Sequence, residues 1–233
     1  GLGDVYKRQS MPSPMEHTYH GINPKTKSMH IRHADMSESF TAQVFKTIAD
    51  PFVGKLSYLR VISGKVTGGA ALVNARTGET EKLGRLYIPK GKKYTEVKEL
   101  TCGDIGAIAK MDKVKTGDTL CEPRKVVKIE PIPFDEPCYS VAIAPKTRGQ
   151  EDKMAQGLNR LNEEDPSFRV VNNAETHQMV VSGVGDIQID VLCSKLKSRF
   201  GVDSELDTPR VAYREKIRST CLLYTSPSPR DTR

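Results

Sequence analysis

The chain has 233 residues, 37% of them hydrophobic and 28% charged, with a formal net charge of +7. That length can bury one or two ordinary domain cores, and no apolar run approaches the roughly 20 residues of a membrane-spanning helix, so a soluble protein without a membrane partner is expected. The scattered positive charge suits an anionic surface such as RNA or a merely solvated exterior, and the five cysteines (Cys102, Cys121, Cys138, Cys193, Cys221) form no C-x-x-C pair, which points to reduced thiols in a cytoplasm and to no cysteine-based metal site.

Both ends read as foreign to the rest. The DNA GAT-GTG-TAT-AAG-AGA-CAG encodes DVYKRQ, residues 4–9, and its reverse complement, read as TGT-CTC-TTA-TAC-ACA-TCx, encodes CLLYTS, residues 221–226. Peptides written by opposite strands of one oligonucleotide resemble translated sequencing adapters. Residues 1–9 and 220–233 are therefore set apart from the fold, and what remains is expected to be a fragment.

Residues 10–38 are rich in Pro, Ser and His without an apolar period, and read as a linker or the edge of a preceding domain. Their histidines fall in two pairs, His17 with His20 and His30 with His33, which would need a fold to become a metal site, so a solvated loop is expected. Residues 39–133 change to short β-rich runs between turn residues, the pattern of a small barrel or sandwich. In KLSYLRVISGKV the side carrying Leu56, Tyr58, Arg60 and Ile62 reads as the core face, and the side carrying Lys55, Ser57, Leu59, Val61, Ser63 and Lys65 as the outer one. Lys55, Arg60, Lys65, Lys90, Lys92 and Lys93 are the candidate phosphate contacts, Lys90 to Lys93 at a hairpin tip, although solubilising charge explains them equally well.

Residues 134–210 follow another grammar, β-α-β-β-α-β, the split ferredoxin-like arrangement. Met154, Leu158 and Leu161 mark the sheet-facing stripe of the first helix, which Asp165 and Pro166 end; Ile189, Leu192, Leu196 and Phe200 mark that of the second, before Gly201. Gln188, Ser194 and Lys195 lie off that stripe and are expected to be exposed. Between strand and second helix stands VSGVGDIQ. A dinucleotide turn needs a third glycine three residues after the second, where this chain has Gln188, and Asp186 would bring a carboxylate to the helix start, so a tight turn closed by an Asp186 N-cap is expected instead.

The strings FKTIADPFVGKLSYLRVISG, GDIGAIAKMDKVKTGDTLC, LNRLNEEDPSFRV and VSGVGDIQIDVL resemble the second and third domains of bacterial elongation factor G, in that order. The resemblance implies a multidomain chain: a translation-factor β-barrel over residues 39–133, then an α+β ferredoxin-like domain over 134–210. Residues 10–38 resemble the end of the GTPase domain and 211–219 the start of the next. It also implies the central part of a monomeric, cytoplasmic, ribosome-dependent GTPase that drives tRNA and mRNA translocation. Its partners would be small-subunit rRNA, ribosomal proteins and a GTPase domain in cis. GTP and Mg would belong to the parent protein. No G-x-x-x-x-G-K-[ST] occurs, so the chain alone is expected to hold no cofactor or metal and to have no activity.

By the same resemblance the turn Gly183, Val184, Gly185, Asp186 and Gln188 faces the GTPase domain, and its glycines let a switch segment approach closely. The family's common Gly-Glu-Leu-His-Leu reads GDIQI here, with Gln188 in the histidine's place, which implies a paralogous factor. Other readings are a tetracycline-resistance ribosomal protection protein, a free-standing RNA-binding module, and a nucleotide-dependent enzyme built on GVGDIQ.

Overall fold

The computed structural model describes residues 5, 7, 9–50, 54–91, 93–109, 111 and 113–216. The suspected adapter peptides fall largely outside the described residues, as do Lys92 and residues 217–219.

Two long antiparallel strands, β3 (Thr41–Asp50) and β4 (Gly54–Ser63), form the spine of the first unit. Around them β6 (Ala71–Asn74), β7 (Thr80–Lys82), β8 (Leu86–Lys90), β9 (Lys93–Val97), β11 (Ile105–Ala109) and β12 (Thr119–Cys121) complete an eight-stranded sheet in the order β7-β6-β12-β3-β4-β11-β8-β9. The sheet curls as a half-barrel about Ala42, Val44, Leu59, Leu72, Leu86, Ile108 and Leu120. A ribbon of β5 (Lys65–Thr67) and β10 (Glu99–Thr101) adds Val66 and Leu100 to the same core.

The core face of β4 is the opposite of the one expected. Leu59 and Val61 enter the barrel core, whereas Tyr58 and Arg60 are half-buried outside it. Tyr58 meets the hydroxyl of Tyr94 at 2.8 Å, and the Arg60 guanidinium lies 5.8 Å over the Tyr19 ring. Alternation misled because both faces of β4 are covered: Leu56 is buried too, and Ile62 packs with Val127 and Ile129 in a second small core. The strand then stops at Gly64, whose φ of +70° and whose missing Cβ, which would lie 2.6 Å from the Glu38 carbonyl oxygen, admit only glycine. Lys65 therefore begins another strand, and it does not share a strand face with Lys55.

Residues 10–38 are also more ordered than a linker. β1 (Tyr19–Ile22) and β2 (Met29–Arg32) pair as a hairpin, and β13 (Lys128–Ile129) joins β1 from far along the chain. The connecting loop is closed by the Asn23 side chain, which accepts from the amides of Lys25 and Thr26. Four-residue strands completed by a distant partner leave no local period to read. The histidines sit on this framework: His30 hydrogen-bonds Ser28, and His17 packs edge-on against Tyr19.

A buried charge pins the corner between β6 and β12. Asp118, 5% exposed, accepts from Arg76 at 2.6 and 2.9 Å, from Asn74 at 2.7 Å and from the Lys115 amide at 2.9 Å. Burial alone would raise its carboxyl, but the hydrogen bonds from Arg76, Lys115 and Asn74 outweigh it and hold the group below the ordinary carboxylate value.

In the second unit, β14 (Tyr139–Pro145), β15 (Arg169–Asn173), β16 (Gln178–Gly183) and β17 (Ser204–Asp207) form an antiparallel sheet ordered β15-β16-β14-β17. Helices α1 (Glu151–Glu164) and α2 (Asp186–Lys195) supply Met154, Leu158, Leu161, Ile189 and Leu192 to its core, as their spacing predicts. α2 runs on through a π turn, Leu196–Phe200, to Gly201 in the left-handed conformation. The helices meet closely at Gly157, where a Cβ would lie 2.9 Å from Leu196. The β-α-β-β-α-β reading holds.

Two outcomes test these assignments. Leu59→Ala should cost about 3 kcal/mol in chemical denaturation and Tyr58→Phe no more than about 1, the reverse of what the alternation implies. Because the folded Asp118 pKa is depressed, its stabilisation is present above the unfolded value near 3.9 and is lost as pH falls through the folded value. Asp118→Asn should accordingly flatten the acid limb of the stability curve and cost about 2 kcal/mol at neutral pH.

Candidate interdomain contact site

The chain leaves β16 at Gly183 and enters α2 at Asp186 through two residues, Val184 and Gly185. Gly185 is the N-cap residue, with extended dihedrals of −167° and 175° that any residue can adopt. Asp186 is thus one position further on than an N-cap. Its Oδ1 accepts from the adjacent Ile187 amide at 2.8 Å, and its charge faces the positive end of the helix.

Gln188 departs most from expectation. It is half-buried, and both ends of its amide are engaged. Oε1 accepts from the Val184 amide at 2.8 Å, while Nε2 donates to Ser167 Oγ at 2.7 Å and to Asp165 Oδ2 at 3.2 Å. The side chain folds back over the turn because Gly183 leaves room: a Cβ there would lie 2.6 Å from Gln188 Oε1. The bare backbone at Gly183 therefore serves a contact within the chain. Gly185 does leave open space, with nothing within 4 Å of an added Cβ.

From Oε1 and Nε2 together, the turn is tied to the segment after α1. From the other side the Cys138 amide donates to the Gly183 carbonyl at 3.0 Å and the Cys138 thiol to the Val184 carbonyl at 3.1 Å. A braced turn then presents Val184, Ile187 and Val191, which are 43%, 75% and 46% exposed. Ile187 and Val191 are one helical turn apart on the side of α2 away from the core. Grouped exposed aliphatics on a rigid element suit contact with another protein surface. The signal was legible as a second i, i+4 pair offset from Ile189, Leu192 and Leu196.

The candidate basic contacts divide. Lys55 is 11% exposed and pairs with Glu163 of α1 at 3.2 Å, so it joins the two units and offers no free charge to phosphate. Arg60 is engaged with Tyr19. Lys65 is exposed, and Lys90 and Lys93 face each other across an exposed hairpin tip turned by Gly91 at φ +62°. Ser194 is exposed and Lys195 half-buried. Among the described residues no cluster of three or more His, Cys, Asp or Glu could hold a metal ion, and no helix is long and apolar enough to cross a membrane.

In denaturation of the chain, Gln188→Ala should cost about 1.5 kcal/mol because it strands the Val184 amide and the Ser167 and Asp165 acceptors, whereas Asp186→Ala should cost about 0.5. Equal losses would contradict the bracing.

Residues 39–123 match the family described as Elongation factor G domain 2, and residues 134–208 the one described as Elongation Factor G, domain III. The chain is 43% identical over 208 residues to Elongation factor G of Dehalococcoides mccartyi, a match spanning 89% of this chain and 30% of that protein. A crystal structure of a Thermus thermophilus protein is similar with a TM-score of 0.71 and 26% identity, over 91% of this chain and 30% of that one. The chain thus spans about a third of the length of these relatives.

Proposed function

The chain belongs to the elongation factor G family, carrying its domains II and III, and on that premise we propose that it is the central part of a ribosomal translocase. In this reading the barrel binds the ribosome, and the ferredoxin-like unit relays the nucleotide state of a GTPase domain in the same cytoplasmic protein during movement of tRNA and mRNA. The match that runs colinearly through both units at 43% identity carries the proposal. The surface geometry supports it, since a basic hairpin tip and a braced apolar turn are separate exposed features on the two units.

Guanine nucleotide and Mg would be held by that GTPase domain. The residues present here do not fit them: the Val184 amide of the turn and the Ile187 amide at the helix start are taken by Gln188 and Asp186, and the first lysine after the turn is Lys195, at the far end of α2. The absence of the histidine of the family's common motif, with Gln188 in its place, favours a specialised paralog.

Ribosome sedimentation over a salt series tests the barrel's part. Reversing Lys65, Lys90 and Lys93 to Glu should weaken binding and lower the log-log salt slope by about 0.7 to 0.9 for each phosphate no longer neutralised. An unchanged slope would remove these residues from the interface. On the second unit, Ile187→Asp in the full-length protein should leave folding intact and slow ribosome-stimulated GTP hydrolysis at least about tenfold, the effect of losing about 1.4 kcal/mol of interface energy.

A further inference from the structure

Helix α1 ends on three consecutive acids, Glu163, Glu164 and Asp165, with no basic residue in its last turn. Carboxylates at the negative end of a helix are unfavourable unless something else holds them. Here each has a different partner, one on the barrel and the others at the two ends of the second helix. Glu163 reaches Lys55 on barrel strand β4 at 3.2 Å. Glu164, 11% exposed, takes Arg199 at the end of the second helix in two bonds of 2.8 and 3.0 Å. Asp165 receives Gln188 at 3.2 Å and the Ser167 amide at 3.0 Å. Successive residues at a helix end point about 100° apart, which is how one short segment serves three directions.

The consequence is a short path of direct contacts. Lys55 in the barrel holds Glu163; two and four residues on, Asp165 and Ser167 hold Gln188; and Gln188 holds the Val184 amide in the exposed turn. Pro166 lies within this path and fixes its own φ, so the segment from Asp165 to Ser167 has little freedom to absorb a displacement. Pro166 also faces the barrel across a crevice of about 230 Å³ that Thr116 and Asp118 line with it.

We propose that the end of α1 is a mechanical joint that couples the position of the barrel to the conformation of the turn at Val184, with Lys55 and Gln188 as its two positioning residues. Tilting the barrel pulls on Glu163 and shifts Asp165 and Ser167, and the Gln188 amide then cannot keep both its donors and its acceptor satisfied. The turn loosens as the barrel moves, and a partner that fixes the turn favours one barrel position by the same coupling. The joint is a property of this chain, and it requires nothing of the ribosome or of nucleotide.

Amide hydrogen exchange in the isolated chain reads it directly, because the Val184 amide is the last atom of the path. Lys55→Met should speed exchange at Val184 by at least about threefold while leaving Val181, in the middle of β16, unchanged. Gln188→Ala should speed Val184 further. The charge swap Lys55→Glu with Glu163→Lys should return Val184 towards the wild-type rate. A merely local ion pair would not move an amide in the other unit. Unchanged Val184 exchange in Lys55→Met or in Gln188→Ala, equal acceleration of Val181, or no recovery in the swap would each overturn the proposal.

Discussion

The primary amide of Gln188 sits where the end of β16, the start of α2 and the segment after α1 converge, and it satisfies a donor on one of them and acceptors on another. A primary amide can do this because it carries an acceptor and two donors on one planar group, and no carboxylate or ammonium has both. Remove it and the turn loses its tie to the α1 end, leaving the Cys138 hydrogen bonds and the core packing of Ile189 and Leu192 to hold the backbone that carries Val184, Ile187 and Val191. Exposed apolar residues contribute to a specific interface when the element that carries them is already ordered, since association then costs less conformational entropy. The bracing therefore comes before the contact surface in the order of causes.

The same economy of contacts shapes the junction between the two units. Lys55, read from the sequence as a solvent-facing phosphate contact, is 11% exposed and committed to Glu163. Lys65, Lys90 and Lys93, by contrast, are exposed. In the proposed function, anion binding and interdomain docking would be served by different lysines, and altering one set need not disturb the other.

What was legible in the sequence follows the physics of each element. The helices of the ferredoxin-like unit bury one stripe each, so a 3.6-residue period survives and Met154, Leu158, Leu161, Ile189 and Leu192 were readable, as was the glycine stop at Gly201. β4 buries both faces, one in the barrel and the other partly under the β1–β13 sheet, so the alternation that assigns an inside was lost and the wrong face was chosen. The hairpin of β1 and β2 escaped because its third strand lies about a hundred residues away. The turn was found by its glycines, but its internal organisation was not: Gln188 is more than 20 residues from both Asp165 and Ser167 in sequence, and no local spacing announces its bonds to them.

In the proposed function, residues 183–191 form a surface whose contacts change with the nucleotide state of a GTPase domain in the same protein. Hydrogen exchange of the full-length protein on the ribosome, compared between a non-hydrolysable GTP analogue and GDP, reads such a change residue by residue. The expected result is a change in protection confined in this region to residues 183–191 and the segment after α1, with the β3–β4 core unaffected. Identical protection of 183–191 in the two nucleotide states would contradict it.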